Sequence, residues 1–201
     1  ESTHSFDVRH YRIDLATTLT SGAMAARCRI ALTPLVGGFD TFSLHFVSLV
    51  CDSVKRAGNA CTFTTPSGRL LVDLDRAFAA GESLEVDIWY HRNSGTSNRG
   101  YYYYSRGSSG IPHAVAYTVT ETDDSRYWFP CFDQPWDKAE RGCQLNITVP
   151  DSMSACANGT LDSVTTGAGT KTYWWTHRYP IPPYLMCFAA SKFTDWQVWW
   201  T

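Results

Sequence analysis

The 201-residue chain has six histidines, at positions 4, 10, 45, 91, 113 and 177, and seven cysteines, at 28, 51, 61, 131, 143, 156 and 187. These side chains bind zinc or act as nucleophiles, so their spacing is the first test of chemistry. No His-Glu-x-x-His pair sets two imidazoles on one helical face, and no Cys-x-x-Cys occurs. No Gly-x-Ser-x-Gly elbow presents a serine nucleophile. The spacing assembles neither a metal centre nor a triad, and the histidines read as surface or core-satisfied residues. Seven is odd, so at least one thiol is unpaired within the chain. Cys28 falls in an alternating apolar stretch and reads as a small core hydrophobe. Cys51 and Cys61 flank a turn at Ala57-Gly58-Asn59, but a disulfide between them is left open, because spacing alone does not establish its geometry. Asn146-Ile-Thr and Asn158-Gly-Thr match the glycosylation acceptor pattern, which is common by chance.

The remaining candidates are acidic. Glu121, Asp123 and Asp124 stand just before SRYWFPCFDQPWDKAE, residues 125–140, which packs five aromatics, two prolines and a cysteine between flanking charges. Pro130 and Pro135 stop ladder pairing on both sides of Cys-Phe-Asp-Gln, so the segment reads as a rigid, aromatic-packed crossover rather than a central strand.

The elements that must position these residues are strands. Met24, Ala26, Cys28, Ile30 and Leu32 alternate with polar or small residues, as do Leu84, Val86, Ile88 and Tyr90, and Leu145, Ile147 and Val149. Leu70, Val72 and Leu74 follow the turn at Pro66-Ser67-Gly68, and Phe42, Leu44 and Phe46 make a further strand. Near the N-terminus Phe6 and Val8 share one parity while Tyr11, Ile13 and Leu15 take the other, which predicts a bulge. No window carries a helical apolar stripe; the best helical candidate is a short turn around Trp136 to Arg141. Strand signals recur about every ten residues between Gly, Pro, Ser, Asn and Asp clusters, which predicts an all-β antiparallel sandwich with little or no helix. His91 to Gly110 reads as a long loop interrupted by a tyrosine-rich strand.

Composition narrows the function. The apolar fraction is 44% and the charged fraction 18%, a globular profile. A net charge of −2 without runs of like charge argues against nucleic acid as a partner. No apolar run approaches a membrane span, and the N-terminus lacks the regions of a signal peptide, so any export signal is expected to have been removed. The clusters Tyr101–Tyr104, Tyr127-Trp128-Phe129, Trp174-Trp175 and Trp199-Trp200 are expected to split between core and edge cover, because consecutive strand residues face opposite sides.

The run from Ala116 to Ala139, AYTVTETDDSRYWFPCFDQPWDKA, resembles the signature block of the aminopeptidase N family of zinc peptidases, which includes the leukotriene hydrolase type. FDVRHYRIDL at 6–15, GESLEVDIWY at 81–90, NITVP at 146–150, ANG at 157–159 and PIPPYL at 180–185 are similar to further family landmarks in the same order. The resemblance implies that residues 1–201 form the family's N-terminal domain, a saddle-shaped β domain that caps a catalytic domain. It also implies that the His-Glu-x-x-His zinc centre and the Gly-Ala-Met-Glu-Asn strand lie beyond Thr201. Gly22-Ala23-Met24 is no substitute, since Ala25 and Ala26 stand where Glu and Asn are needed. This chain is then expected to hold no catalytic residue, metal or cofactor of its own, with zinc in the catalytic domain of the same polypeptide. Its partners would be that domain and peptide substrates. Glu121 takes the family position that holds a substrate's free α-ammonium, while Asp123 and Asp124 add negative charge beside it. Val119 departs from a glutamine common in relatives, and Gln134 from a usual acidic residue. The Pro-Trp-Asp-Lys-Ala variant resembles exported bacterial relatives and favours a periplasmic or secreted parent over a cytoplasmic one. The rival reading is a stand-alone β-sandwich module that stacks carbohydrate, or docks a protein partner, on Tyr101–Tyr104 or Trp199-Trp200.

Overall fold

Apolar residues at every second position bury one side of a strand and leave the other to water. Residues 4–93, 99–194 and 198–199 are described by the computed structural model, and that alternation organises most of them into fifteen strands. In chain order they are β1 (Phe6–Thr17), β2 (Met24–Pro34), β3 (Phe39–His45), β4 (Val50–Arg56), β5 (Asn59–Ala60), β6 (Thr62–Thr64), β7 (Arg69–Phe78) and β8 (Leu84–Arg92). There follow β9 (Gly100–Tyr104), β10 (Val115–Val119), β11 (Cys143–Pro150), β12 (Ser154–Ala157), β13 (Thr160–Gly167), β14 (Thr170–His177) and β15 (Phe188–Ser191). Helical structure among the described residues is confined to 3₁₀ turns at Ser108–Gly110, Ser125–Tyr127 and Pro183–Leu185.

Three sheets result. The largest runs β13-β14-β11-β1-β2-β8-β4-β5, a second runs β12-β15-β10-β9, and a third runs β3-β7-β6. Neighbours pair antiparallel except β1 and β11, which run parallel from Tyr11 opposite Cys143 to Ala16 opposite Thr148. The register of β1 on β2 shifts between Val8 and His10. That irregularity lets Phe6 and Val8 on one side of it, and Tyr11, Ile13 and Leu15 on the other, all reach the core.

One face of the large sheet presents Ile13, Leu15, Ile30, Leu32, Val86, Ile88, Leu145 and Ile147, all essentially inaccessible. Each contributes roughly 1.5–3 kcal/mol through burial of its side chain. The opposite face carries a ladder of charge across neighbouring strands. Arg27 pairs with Asp14 at 2.6 Å, Arg29 with Asp87 at 2.9 Å, and Asn146 Nδ2 donates to Asp14 at 2.5 Å.

Several expectations are settled by these contacts. The short turn expected around Trp136 to Arg141 is not helical: the amide of Ala139 donates across the chain to the Ile181 carbonyl at 3.0 Å rather than along a helix. All seven cysteines are free thiols, so Cys51 and Cys61 are not bridged. Cys28 is fully buried, and burial pushes its thiol well above its usual range. Asn146 is 2% exposed and so cannot accept a glycan, and Asn158 is occupied bridging the Leu185 carbonyl and the Cys187 amide.

Candidate functional site

The crossover foreseen from its prolines forms the floor of the candidate site. Trp128, Phe129 and Cys131 are fully buried, Phe129 edge-on to Tyr11 at 5.4 Å. Trp128 and Phe129 are consecutive and both inside, unlike strand neighbours, because they leave a 3₁₀ turn where the chain bends. Polar groups then lock the segment. The Phe132 amide donates to the Tyr11 hydroxyl at 3.1 Å, and the Asp133 amide to His45 Nδ1 at 3.0 Å. Burial, with Arg126 and Arg69 nearby, holds the His45 imidazole down to about 4. It is therefore neutral at pH 7 and able to accept that bond. Arg126 Nε reaches Asp133 Oδ2 at 2.9 Å, and the Arg126 backbone amide shares the same oxygen at 3.1 Å.

Glu121 sits on the turn that joins β10 to this floor. The Asp124 amide donates to the Thr120 carbonyl at 3.1 Å, which closes the turn around it. Thr120 is buried, and its hydroxyl donates to the Tyr184 carbonyl at 2.6 Å. On the other side the turn is pressed against Gly100, whose φ of 73° is left-handed. A Cβ there would lie 2.2 Å from the Asp124 carbonyl oxygen, so only glycine fits.

The acidic neighbours do not reinforce Glu121 as their sequence adjacency suggested. Arg99 Nη2 lies 2.9 Å from Asp124 and 3.7 Å from Asp123, and Arg126 Nη2 lies 3.2 Å from Asp123. Both aspartates are thus met by arginines. Glu121 is exposed, and among the described residues no side chain pairs with it. The Arg99 partnership could not be read from the sequence, since Arg99 lies 25 residues from Asp124.

Towards Glu121, β10 turns Val115, Tyr117 and Val119 outward and Ala116 and Thr118 inward. Tyr117 stacks on Tyr102 at 5.3 Å and 15°, and on Tyr104 at 6.3 Å and 16°. Val119 is 53% exposed. An apolar groove of about 400 Å³ continues this face past Cys156, Ala189 and Phe193. Of the expected aromatic splits, Tyr101 is inside with Tyr102 to Tyr104 half-buried, whereas Trp174 and Trp175 are both half-buried. Trp199 is exposed, and Trp200 and Thr201 lie outside the described residues. Among the described residues no group of three or more His, Cys, Asp or Glu is placed to hold a metal ion.

Comparison with known proteins gives this geometry a family. Leucine aminopeptidase 2 of Vanderwaltozyma polyspora is 22% identical over 82% of the chain, and glutamyl aminopeptidase of Rattus norvegicus 31% over 61%. Aminopeptidase N of Bos taurus is 25% identical over 63%. An M1 zinc metallopeptidase from Deinococcus radiodurans superposes on 93% of the chain with a TM-score of 0.80 at 22% identity. A mutant of that enzyme bound to a Tyr-Ser-Ala substrate superposes with a TM-score of 0.81. The chain spans 27% of the first relative, 13% of each of the next two, and 42% of the structural neighbour. Residues 8–185 match the Peptidase M1 N-terminal domain, and the chain belongs to that family.

Proposed function

We propose that this chain is the N-terminal domain of a zinc aminopeptidase, that it caps the active site, and that Glu121 binds the free α-ammonium of the peptide substrate. The observation that carries the reading is an exposed carboxylate without a cationic partner on a turn fixed from both sides, while the two acids beside it are neutralised by arginines. A carboxylate left unpaired on a rigid support is ready to meet a cation with little reorganisation. The parent would then count from the N-terminus of its substrate, because only there is a free α-ammonium available. Zinc would be held, and hydrolysis performed, by a catalytic domain of the same polypeptide. That domain would cover the tyrosine and valine face of β9 and β10. Among the described residues none form a metal site; in this reading they would bind and orient the substrate.

The test is Glu121→Gln in the intact polypeptide, assayed on an aminoacyl reporter with zinc content measured alongside. A charge-assisted bond is worth roughly 1.5–3 kcal/mol, so kcat/KM should fall about 10- to 100-fold at unchanged zinc. Asp123→Asn, which removes a charge already met by arginine, should change it less than threefold. Unchanged kinetics in Glu121→Gln would return the site to scaffold and the tyrosine row to the carbohydrate or protein-docking reading.

A further inference from the structure

The outer face of the large sheet holds two tryptophans at one level. Residues in register run across five strands from Trp174 on β14 through Asn146, Asp14 and Arg27 to Trp89 on β8. Register partners point to the same side of a sheet, and four strand spacings set the two tryptophan positions about 19 Å apart. Both indoles are half-buried and held in place. Trp174 Nε1 donates to the Thr165 hydroxyl at 2.9 Å, and the Arg12 guanidinium lies 5.9 Å from its ring. The Lys55 ammonium lies 5.5 Å from the ring of Trp89.

The next row on the same strands is cut low. It runs Thr172, Thr148, Ala16, Ala25 and His91, and both alanines are exposed. A depression of about 310 Å³ opens over Ala16 and Ala25, bounded by Trp89, Asp52, Asp14 and Thr148. The threonines carry the floor onward, their hydroxyls 2.8 Å apart. Thr165 stands in register beside Thr172, so the bond from Trp174 brings its indole to the far end of this row.

The polar groups at the edge are open to solvent, with Asp14 27%, His91 32% and Asp52 47% exposed. The acids are already partnered, Asp14 by Arg27 at 2.6 Å and Asp52 by His91 at 2.8 Å. Such pairing removes the long-range pull on a charged ligand. It does not exhaust hydrogen bonding, because a carboxylate has about four acceptor sites and His91 occupies one of those on Asp52. The trough therefore combines two fixed aromatic faces, a shallow floor and oriented polar groups without a strong field.

We propose that this trough binds an extended, uncharged oligosaccharide, with one pyranose ring stacked on Trp89, another reaching Trp174, and the alanine and threonine floor admitting the sugars between them. A pyranose presents a C–H face that packs on an indole and a belt of hydroxyls that need partners beside it. Equatorial linkages keep such a chain straight enough to lie along one row of a sheet. The alanines are part of the site, since a longer side chain there would lift the sugars off both rings. Because the rings are preorganised, little entropy is lost on binding. The role is anchoring, separate from that of Glu121, and no bond is made or broken.

The experiment is calorimetric titration of this chain with cellobiose, cellohexaose, chitohexaose and mannohexaose, with hexagalacturonate as the charged control. At least one neutral hexasaccharide should bind, about tenfold or more tighter than cellobiose, because only the longer chain spans both rings. Trp89→Ala should weaken the hexasaccharide about tenfold or more, and Trp174→Ala should bring it down to the affinity of cellobiose. Ala25→Arg fills the floor from an exposed position; it should abolish binding and keeps the test decisive should a tryptophan variant fail to fold. Absence of saturable binding by all three neutral hexasaccharides, equal binding of hexagalacturonate, or full retention in Trp89→Ala or in Ala25→Arg would overturn the assignment. An equal loss in Tyr117→Ser would move the site to the tyrosine row on the other sheet and overturn it as well.

Discussion

The outer faces of the two larger sheets are built to opposite specifications. On the large sheet two cations have their anions on the neighbouring strand, Arg27 with Asp14 and Arg29 with Asp87, and Asn146 completes Asp14. On the β9–β10 sheet the outward residues are Tyr102, Tyr104, Val115, Tyr117 and Val119, which stack on one another and run toward the unpaired Glu121. A surface that satisfies itself faces solvent, and one that presents aromatic area beside an unmatched charge is shaped for contact. The contrast supports the proposal that a catalytic domain covers the smaller sheet rather than the larger.

The floor beneath that smaller sheet is where the contrast is most easily broken. Trp128→Ala empties the largest fully buried side chain and should cost about 3–5 kcal/mol. Gly100→Ala forces a Cβ to within 2.2 Å of the Asp124 carbonyl and should cost about 3 kcal/mol or more. Urea denaturation of the two variants measures both. A loss under 1 kcal/mol in Gly100→Ala would show that the turn carrying Glu121 is softer than its contacts require.

A second effect is read through pH. Asp137 is 4% exposed, and burial pushes its carboxyl up to about 7, with the charge of Asp7 adding. A carboxyl raised in this way keeps its proton in the folded state after the unfolded chain has lost it. Its stabilising contribution is therefore full below about pH 4 and is lost as pH rises through 7. Between pH 4.5 and 7.5 wild type should lose up to about 3 kcal/mol relative to Asp137→Asn. His45, held down to about 4, contributes the opposite slope, its share of stability being lost as pH falls from about 6.5. Denaturation midpoints of wild type and Asp137→Asn across that range decide the matter, and a pH-independent difference would place Asp137 outside the buried environment that raises it.

The smallest effects sharpen the comparison of the two faces. Asp87→Asn removes one rung of the charge ladder and should cost about 1 kcal/mol or less, because the pair is partly exposed. Tyr117→Ser and Val119→Lys should leave this chain within about 0.5 kcal/mol of wild type. In the intact polypeptide the same two substitutions should lower activity or loosen the domains, measured as increased proteolytic cleavage between them. If Asp87→Asn did so instead, the two faces would have to exchange roles.

How far the sequence anticipated this follows from burial. β2, β8 and β11 are buried on one side only, so their alternation was visible residue by residue, and so was the bulge that reconciles Val8 with Tyr11. β13 is exposed along its whole length and β14 half-buried along its own, so neither shows an alternation to read. The parallel pairing of β1 with β11 joins residues more than 130 apart, which no local pattern encodes. Glu121 was singled out through the motif around it, not through its own surroundings, and the arginines that neutralise its neighbours were not foreseen.

The parallel pair also has a consequence in time. As the chain is synthesised, β1 can pair with β2 within some thirty residues, and β8 can join them by residue 92. The other edge of β1 stays open until β11 has left the ribosome, some fifty residues later. During that interval the nascent sheet shows a twelve-residue unpaired strand, the kind of edge that seeks another chain. Late closure makes the final β11–β14 ribbon the step that ends exposure. High-contact-order pairing of this kind slows folding, so expression yield should respond more to substitutions in β11 than to equally buried ones in β2.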